Sequence, residues 1–138
     1  MIRDIEKLDP ELKKKVEKLL QKLDEKEIQY FIVETKRSQE IQQAYFAQGR
    51  KPLEEVNALR KNAGLWAITE KENKNKITWT LLSKHLEGKA IDIAPAIDGK
   101  PNWSAPDEDW KEIADVAKEL GMNPGYYWRA QKDCPHIE

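Results

Sequence analysis

The chain has 138 residues, 39% of them apolar and 36% charged, which is enough for one hydrophobic core under a strongly solvated surface. Lys and Arg number 24 against 25 Asp and Glu, a net charge of −1, so no dominant phosphate-binding surface is expected and nucleic acid is excluded as a main partner. No stretch approaches the roughly 20 apolar residues of a membrane span, and a single cysteine, Cys134, excludes a disulfide framework or a paired-cysteine metal knuckle.

The start, MIRDIEKLDPELKKK, is mixed in charge and lacks the apolar core of a secretory signal. A helix is predicted over about 9–24, with Asp9 as N-cap and Pro10 at the first helical position. Leu12, Val16, Leu19, Leu20 and Leu23 make its apolar stripe. The β-branched and aromatic run IQYFIVE predicts a strand over Ile28–Glu34. Ser38 is placed to cap a second helix that stops at Gly49, and a third follows Pro52 and ends near Gly64.

Residues 70–77 are charged and polar and predict a loop. A strand is expected over Ile77–Leu82 and a stronger one over Lys89–Ala94, where alternation sets Ala90, Asp92 and Ala94 on one face and Ile91 and Ile93 on the other. Asp98-Gly99 predicts a tight turn. Ser104 with Asp107 has the spacing of a capping box opening a last helix, with Trp110, Ile113, Ala114, Ala117 and Leu120 as its buried stripe and Gly121 as its stop. The expected product is one α+β domain over 1–138.

The chain has only two histidines, so any metal would have to be bound by imidazole and carboxylate. His85 and Asp92 occur in SKHLEGKAIDIAP, a loop, a turn at Gly88 and a strand; DCPHIE closes the chain, with Asp133 three residues before His136. If that end is extended, His136 and Glu138 share a face. Catalytic zinc takes three protein ligands of the His, Asp and Glu class and keeps a fourth position open. A further carboxylate is needed to carry a proton.

These segments resemble the D-Ala-D-Ala metallopeptidase family. SKHLEGKAIDIAP is similar to its S-x-H-x-x-G-x-A-x-D signature, and DCPHIE to its closing D/E-x-x-H. ETKRSQEIQQAYFAQGR resembles a segment of its phage endolysin and L-alanyl-D-glutamate peptidase branch. The resemblance implies a Hedgehog/DD-peptidase type of fold, with a small central antiparallel sheet flanked by helices. It implies one zinc ion on His85, Asp92 and His136, with Asp133 as catalytic base and the site contained in 83–138. Arg37 would stabilise an oxyanion or hold a substrate carboxylate, with Gln42 and Ser83 as positioning residues of the substrate site. Relatives of the phage type carry Gly-Gly-Asp-Trp where this chain has Gly125 to Trp128, and a larger residue where it has Cys134.

The expected function is hydrolysis of the L-alanyl-D-glutamate bond in peptidoglycan stem peptides. The rivals are D-Ala-D-Ala carboxypeptidase or dipeptidase activity, and a non-catalytic zinc-stabilised binding module. The enzyme is expected to be a monomer made in the cytoplasm, with no membrane partner, and to reach the wall after release by a permeabilising partner. The five tryptophans are read as structural, apart from Trp128 at the pocket, and Cys134 as a buried, inert thiol.

Overall fold

In a computed structural model that describes all 138 residues, the elements in chain order are α1 (Pro10–Glu25), β1 (Tyr30–Glu34), α2 (Gln39–Ala47), α3 (Leu53–Asn62), β2 (Ile91–Ile97), β3 (Lys100–Pro101), α4 (Asp107–Glu119) and β4 (His136–Ile137). The architecture is α+β with an antiparallel sheet. The chain forms two compact units, one of Met1–Lys36 with Glu87–Glu138, the other of Arg37–Leu86. No helix is long and apolar enough to cross a membrane.

In the first unit α1 begins as its sequence predicts. The Asp9 carboxylate accepts the Glu11 amide, and Pro10 sits where a missing N–H costs nothing. Leu12, Val16, Leu19 and Leu23 are buried, and together with Ile113, Val116 and Ala117 of α4 they cover Ile91, Ile93 and Ile137 of the sheet. Strand β2 is the centre of that sheet. It pairs with β1 along one edge, and on the other with β4 near its start and β3 near its end. Asp98 and Gly99 both have positive φ, 52° and 75°, as the two-residue turn joining β2 to β3 requires.

Helix α4 starts later than the capping-box spacing predicts. Its N-cap is Pro106, with no side-chain cap, and Ser104 lies outside it. Proline disfavours helical backbone in the residue before it, so Ala105 cannot extend the helix backwards. Asp107, Glu108 and Asp109 then fill the first turn, where negative charge suits the helix dipole.

In the second unit α2 is capped by Ser38, whose hydroxyl accepts the Ile41 amide. Positive φ at Gly49 and Gly64 follows the ends of α2 and α3. Ile41, Ala44 and Tyr45 pack on Leu65, and Ala47 and Val56 on Ile68. The strand expected over Ile77–Leu82 is not formed. The Thr78 hydroxyl bonds the Thr80 amide, and the Thr80 hydroxyl bonds the backbone at Leu82, so local side-chain bonds replace a ladder.

Candidate functional site

The alternation in β2 sets the site's floor. Ile91 and Ile93 point into the core, so Asp92 projects from the opposite face. Register then supplies its neighbours: Asp92 stands opposite Glu34 on β1 and opposite His136 on β4. Directly opposed residues share a face, so Glu34, Asp92 and His136 form one row across three strands. The row is largely dry, with Glu34 at 1% and His136 at 8% exposure.

His136 Nδ1 lies 3.5 Å from Asp92 Oδ1 and 4.0 Å from Asp133 Oδ2, while its Nε2 lies 2.9 Å from Glu138 Oε1. Burial disfavours a charged His136, but the hydrogen bond and charge of Asp92, with Glu138 and Asp133, outweigh it and hold the pKa above the ordinary value. Asp133 differs from Asp92 in access, its side chain being 49% exposed against 17%. It sits in a turn whose backbone is pinned at both sides, Asp133 N donating to Gly125 O and His136 N to Asp133 O. Trp128 packs its ring 5.0 Å from that of His136 and donates Nε1–H to Asn123 Oδ1.

In the second unit Gln42 is fully buried on α2 and organises the residues around it. Its Oε1 accepts from Arg37 Nη1 at 2.7 Å, and its Nε2 donates to Thr80 O at 2.6 Å and Thr78 Oγ1 at 3.2 Å. The Arg37 guanidinium also lies over the Tyr45 ring, 4.8 Å from its centroid, and its amide donates to His85 O. His85 is 2% exposed, in a 3-10 turn over Lys84–Glu87. Ser83 caps that turn, its Oγ accepting from the His85 amide at 3.2 Å.

Within the first unit, then, the fold gathers Asp92, Asp133, His136 and Trp128; within the second it gathers Arg37, Gln42, Ser83 and His85. Two carboxylates in the first group were not assigned from sequence. Glu138 was placed beside His136 by alternation but given no role, and Glu34 becomes visible only once the β1–β2 register is known. Of the tryptophans read as structural, Trp110 is buried as its stripe predicts, while Trp66, Trp79 and Trp103 are exposed, and Trp103 stacks on Trp110 at 6.0 Å. Cys134 is half-buried, and burial pushes its thiol pKa up, which suits an inert side chain.

Residues 76–138 match the model of a family described as D-alanyl-D-alanine carboxypeptidase. No curated protein matches the chain in sequence. Among solved structures it is similar to the Serratia marcescens L-Ala D-Glu endopeptidase ChiX, at 20% identity and a TM-score of 0.61, covering 97% of this chain and 81% of that one. It is also similar to VanY, a vancomycin-resistance D,D-pentapeptidase solved as a point mutant with Zn(II), at 13% identity and a TM-score of 0.58, covering 95% of this chain and 71% of that one. At such identities the likeness is one of fold. The matched segment, residues 76–138, holds both histidines and the Asp92 strand.

Proposed function

We propose that the protein hydrolyses a peptide bond in peptidoglycan stem peptides, with L-alanyl-D-glutamate as the bond. The observation that carries this reading is the meeting of Asp92, His136 and Asp133: a buried carboxylate and imidazole face each other, with an accessible carboxylate beside the same ring nitrogen. One zinc ion is assigned to His85, Asp92 and His136. That donor set, two imidazoles and one carboxylate, has the composition of a catalytic zinc site with a position left open. Bound there, zinc supplies Lewis acidity towards a carbonyl oxygen and brings the pKa of water to about 7.

The remaining work falls to the chain's own groups. Asp133 takes the proton of the attacking water and returns it to the leaving amine, a role that needs access to solvent. Arg37 donates to the carbonyl oxygen as it gains negative charge, with Gln42 holding one guanidinium nitrogen so that the remaining donors keep a fixed direction. Ser83 secures the turn that carries His85, and Trp128 walls the pocket beside His136. The L-alanyl-D-glutamate assignment draws support from the upstream segment ending in Ala47, Gln48, Gly49 and Arg50, and from the likeness to ChiX.

A second reading, release of terminal D-alanine, is favoured by the family description and by the likeness to VanY. Digestion of defined muropeptides, read by mass, separates the two. A released peptide that begins at D-glutamate, with L-alanine left on the muramic acid, supports the first, and release of D-alanine the second. Asp133→Asn should keep about one zinc per chain and lose about 10²–10⁴-fold in kcat. A variant that keeps both zinc and full activity would remove Asp133 from the mechanism. Wild type that binds zinc but cleaves nothing would instead favour the binding-module reading.

A further inference from the structure

Four exposed large apolar side chains fall within six residues of the second unit: Ile77 at 50%, Trp79 at 58%, Leu81 at 47% and Leu82 at 86% exposure. The segment that carries them, 77–82, belongs to no helix or strand, yet its backbone is braced. Arg50 Nη1 donates to Thr78 O at 3.0 Å, and Gln42 Nε2 donates to Thr80 O at 2.6 Å and Thr78 Oγ1 at 3.2 Å. Gly49 lets the chain come close at the start of the segment, since a Cβ there would meet Lys76 N at 2.9 Å. Apolar side chains held out in water on a braced backbone mark a contact surface.

Gln42 also fixes how far that surface lies from Arg37. Its Oε1 accepts from Arg37 Nη1 at 2.7 Å, so this guanidinium nitrogen and Thr80 O are at most about 8 Å apart across one amide group. The bond proposed for cleavage is the first of the stem peptide, and the L-alanine amine before it is acylated by the lactyl group of muramic acid. In an extended substrate whose scissile carbonyl meets Arg37, the sugar ring begins roughly 7–10 Å away, the same scale as the step from Arg37 to residues 79–80. A sugar ring offers a C–H face to an aromatic ring, and hydroxyl and acetamido oxygens around its edge. Trp79 supplies the aromatic ring, and Arg50 and Lys76 stand 6.0 and 5.6 Å from its centroid. Arg50 spends one nitrogen on Phe46 O and Thr78 O, which leaves the rest of its fork to donate.

We propose that Trp79 stacks on the muramic acid ring that carries the stem peptide, with Arg50 and Lys76 donating to oxygens at the edge of that ring. Glycan-linked stems are then preferred over free peptides. The inference rests on the L-alanyl-D-glutamate reading above, because a bond farther along the stem carries the sugar out of reach. A lipid surface is another occupant for such a patch, but a membrane contact gives no reason for a backbone tied to Arg37 through Gln42.

The test compares two substrates with the same peptide, one acylated at L-alanine by the lactyl group of muramic acid and the other by acetate. Wild type should cleave the L-alanyl-D-glutamate bond of the first with a kcat/KM about 3–10-fold higher, the range of one aromatic contact. Trp79→Ala should erase that preference, while Trp79→Phe, which keeps a ring, should retain most of it. Trp79 is exposed, so both variants should melt close to wild type. A merely structural role would lower both rates together and leave their ratio alone. Equal kcat/KM for the two substrates in wild type overturns the inference, and so does an unchanged ratio in Trp79→Ala. Binding to phosphatidylglycerol vesicles that Trp79→Ala loses, with the substrate ratio unchanged, reassigns the segment to lipid. A wild type that releases D-alanine and leaves the L-alanyl-D-glutamate bond intact in both substrates overturns the functional reading itself, and this inference with it.

Discussion

Replacing Gly125 by alanine should injure catalysis through space rather than backbone conformation. A Cβ at this position would lie 2.3 Å from the Asp133 carbonyl oxygen and 3.2 Å from the Asp133 Cβ, while real Cβ atoms keep at least 3.0 Å from such neighbours. The two segments must therefore part by about 0.7 Å or more, against the bond from Asp133 N to Gly125 O that now joins them. Overpacking of this kind costs about 1–3 kcal/mol. A displacement near 1 Å of a catalytic group can cost about 10²-fold in rate, so kcat for muropeptide cleavage should fall by about 10–100-fold while the fold persists. The assay is kcat by quantified product mass, with zinc content and melting temperature measured on the same preparation. Leu19→Ala is the control, because it destabilises the core without touching Asp133. A folded, zinc-loaded Gly125→Ala protein with kcat within about twofold of wild type would refute the idea that this close approach sets the proposed base, Asp133.

Leu19 is fully buried between α1 and the sheet, so Leu19→Ala should cost about 2–5 kcal/mol in chemical denaturation, with kcat unchanged well below the melting temperature. An intact kcat alongside that loss separates stability from chemistry. Chelation of zinc should abolish cleavage and lower the melting temperature, because a ligand that binds only the folded state adds to its stability; both should return when zinc is restored. Tyr126 donates its phenol proton to Asp107 at 2.6 Å, and that bond, with burial and the Asp107 charge, pushes its pKa up to about 12. The native state therefore keeps this proton between about pH 10 and 12 while the unfolded chain loses it. The stabilisation is complete below pH 10 and is lost as pH rises through that window. In an ultraviolet titration of phenolate, Tyr126→Phe should remove the last phase; an unchanged high-pH phase would place that phase on another tyrosine.

What the sequence reveals of this fold is what depends on local pattern. The stripe of α1, its Asp9 cap, the alternation around Asp92 and the Asp98-Gly99 turn all involve neighbours in the chain, and each is found where the residues place it. The errors arise where two local signals compete. Ser104 and Asp107 have capping spacing, but Pro106 between them decides where α4 begins. Ile77–Leu82 alternates like a strand, but its threonine hydroxyls bond its own backbone. Pairing is the part that composition and spacing cannot supply. Nothing in IQYFIVE says that Glu34 will face Asp92, because that requires the β1–β2 register with its irregularity between Ile32 and Glu34. The contact of Glu138 with His136 is half legible: alternation gives the shared face, whereas the backbone bonds to Asn123 that hold Glu138 depend on the fold.

Three carboxylates surround His136, and residue type alone does not say which should bind metal and which should move a proton. On the function proposed above, position in the fold separates these roles. Asp92 sits mid-sheet with paired strands on both sides, so its carboxylate has little freedom and little contact with water. Such a group suits a metal, which rewards preorganised donors and offsets the cost of burying charge. Asp133 lies in a turn, half exposed, and can meet water and a departing amine on the same side of the ring as Asp92. Glu138 is on the opposite nitrogen, within a hydrogen bond of it. Exchanging any two of these carboxylates would put a mobile group in the role that needs rigidity, or a rigid one in the role that needs access. The proposed division of labour follows the Asp92–His136 register, which turns one edge of the imidazole towards Asp92 and Asp133 and the other towards Glu138.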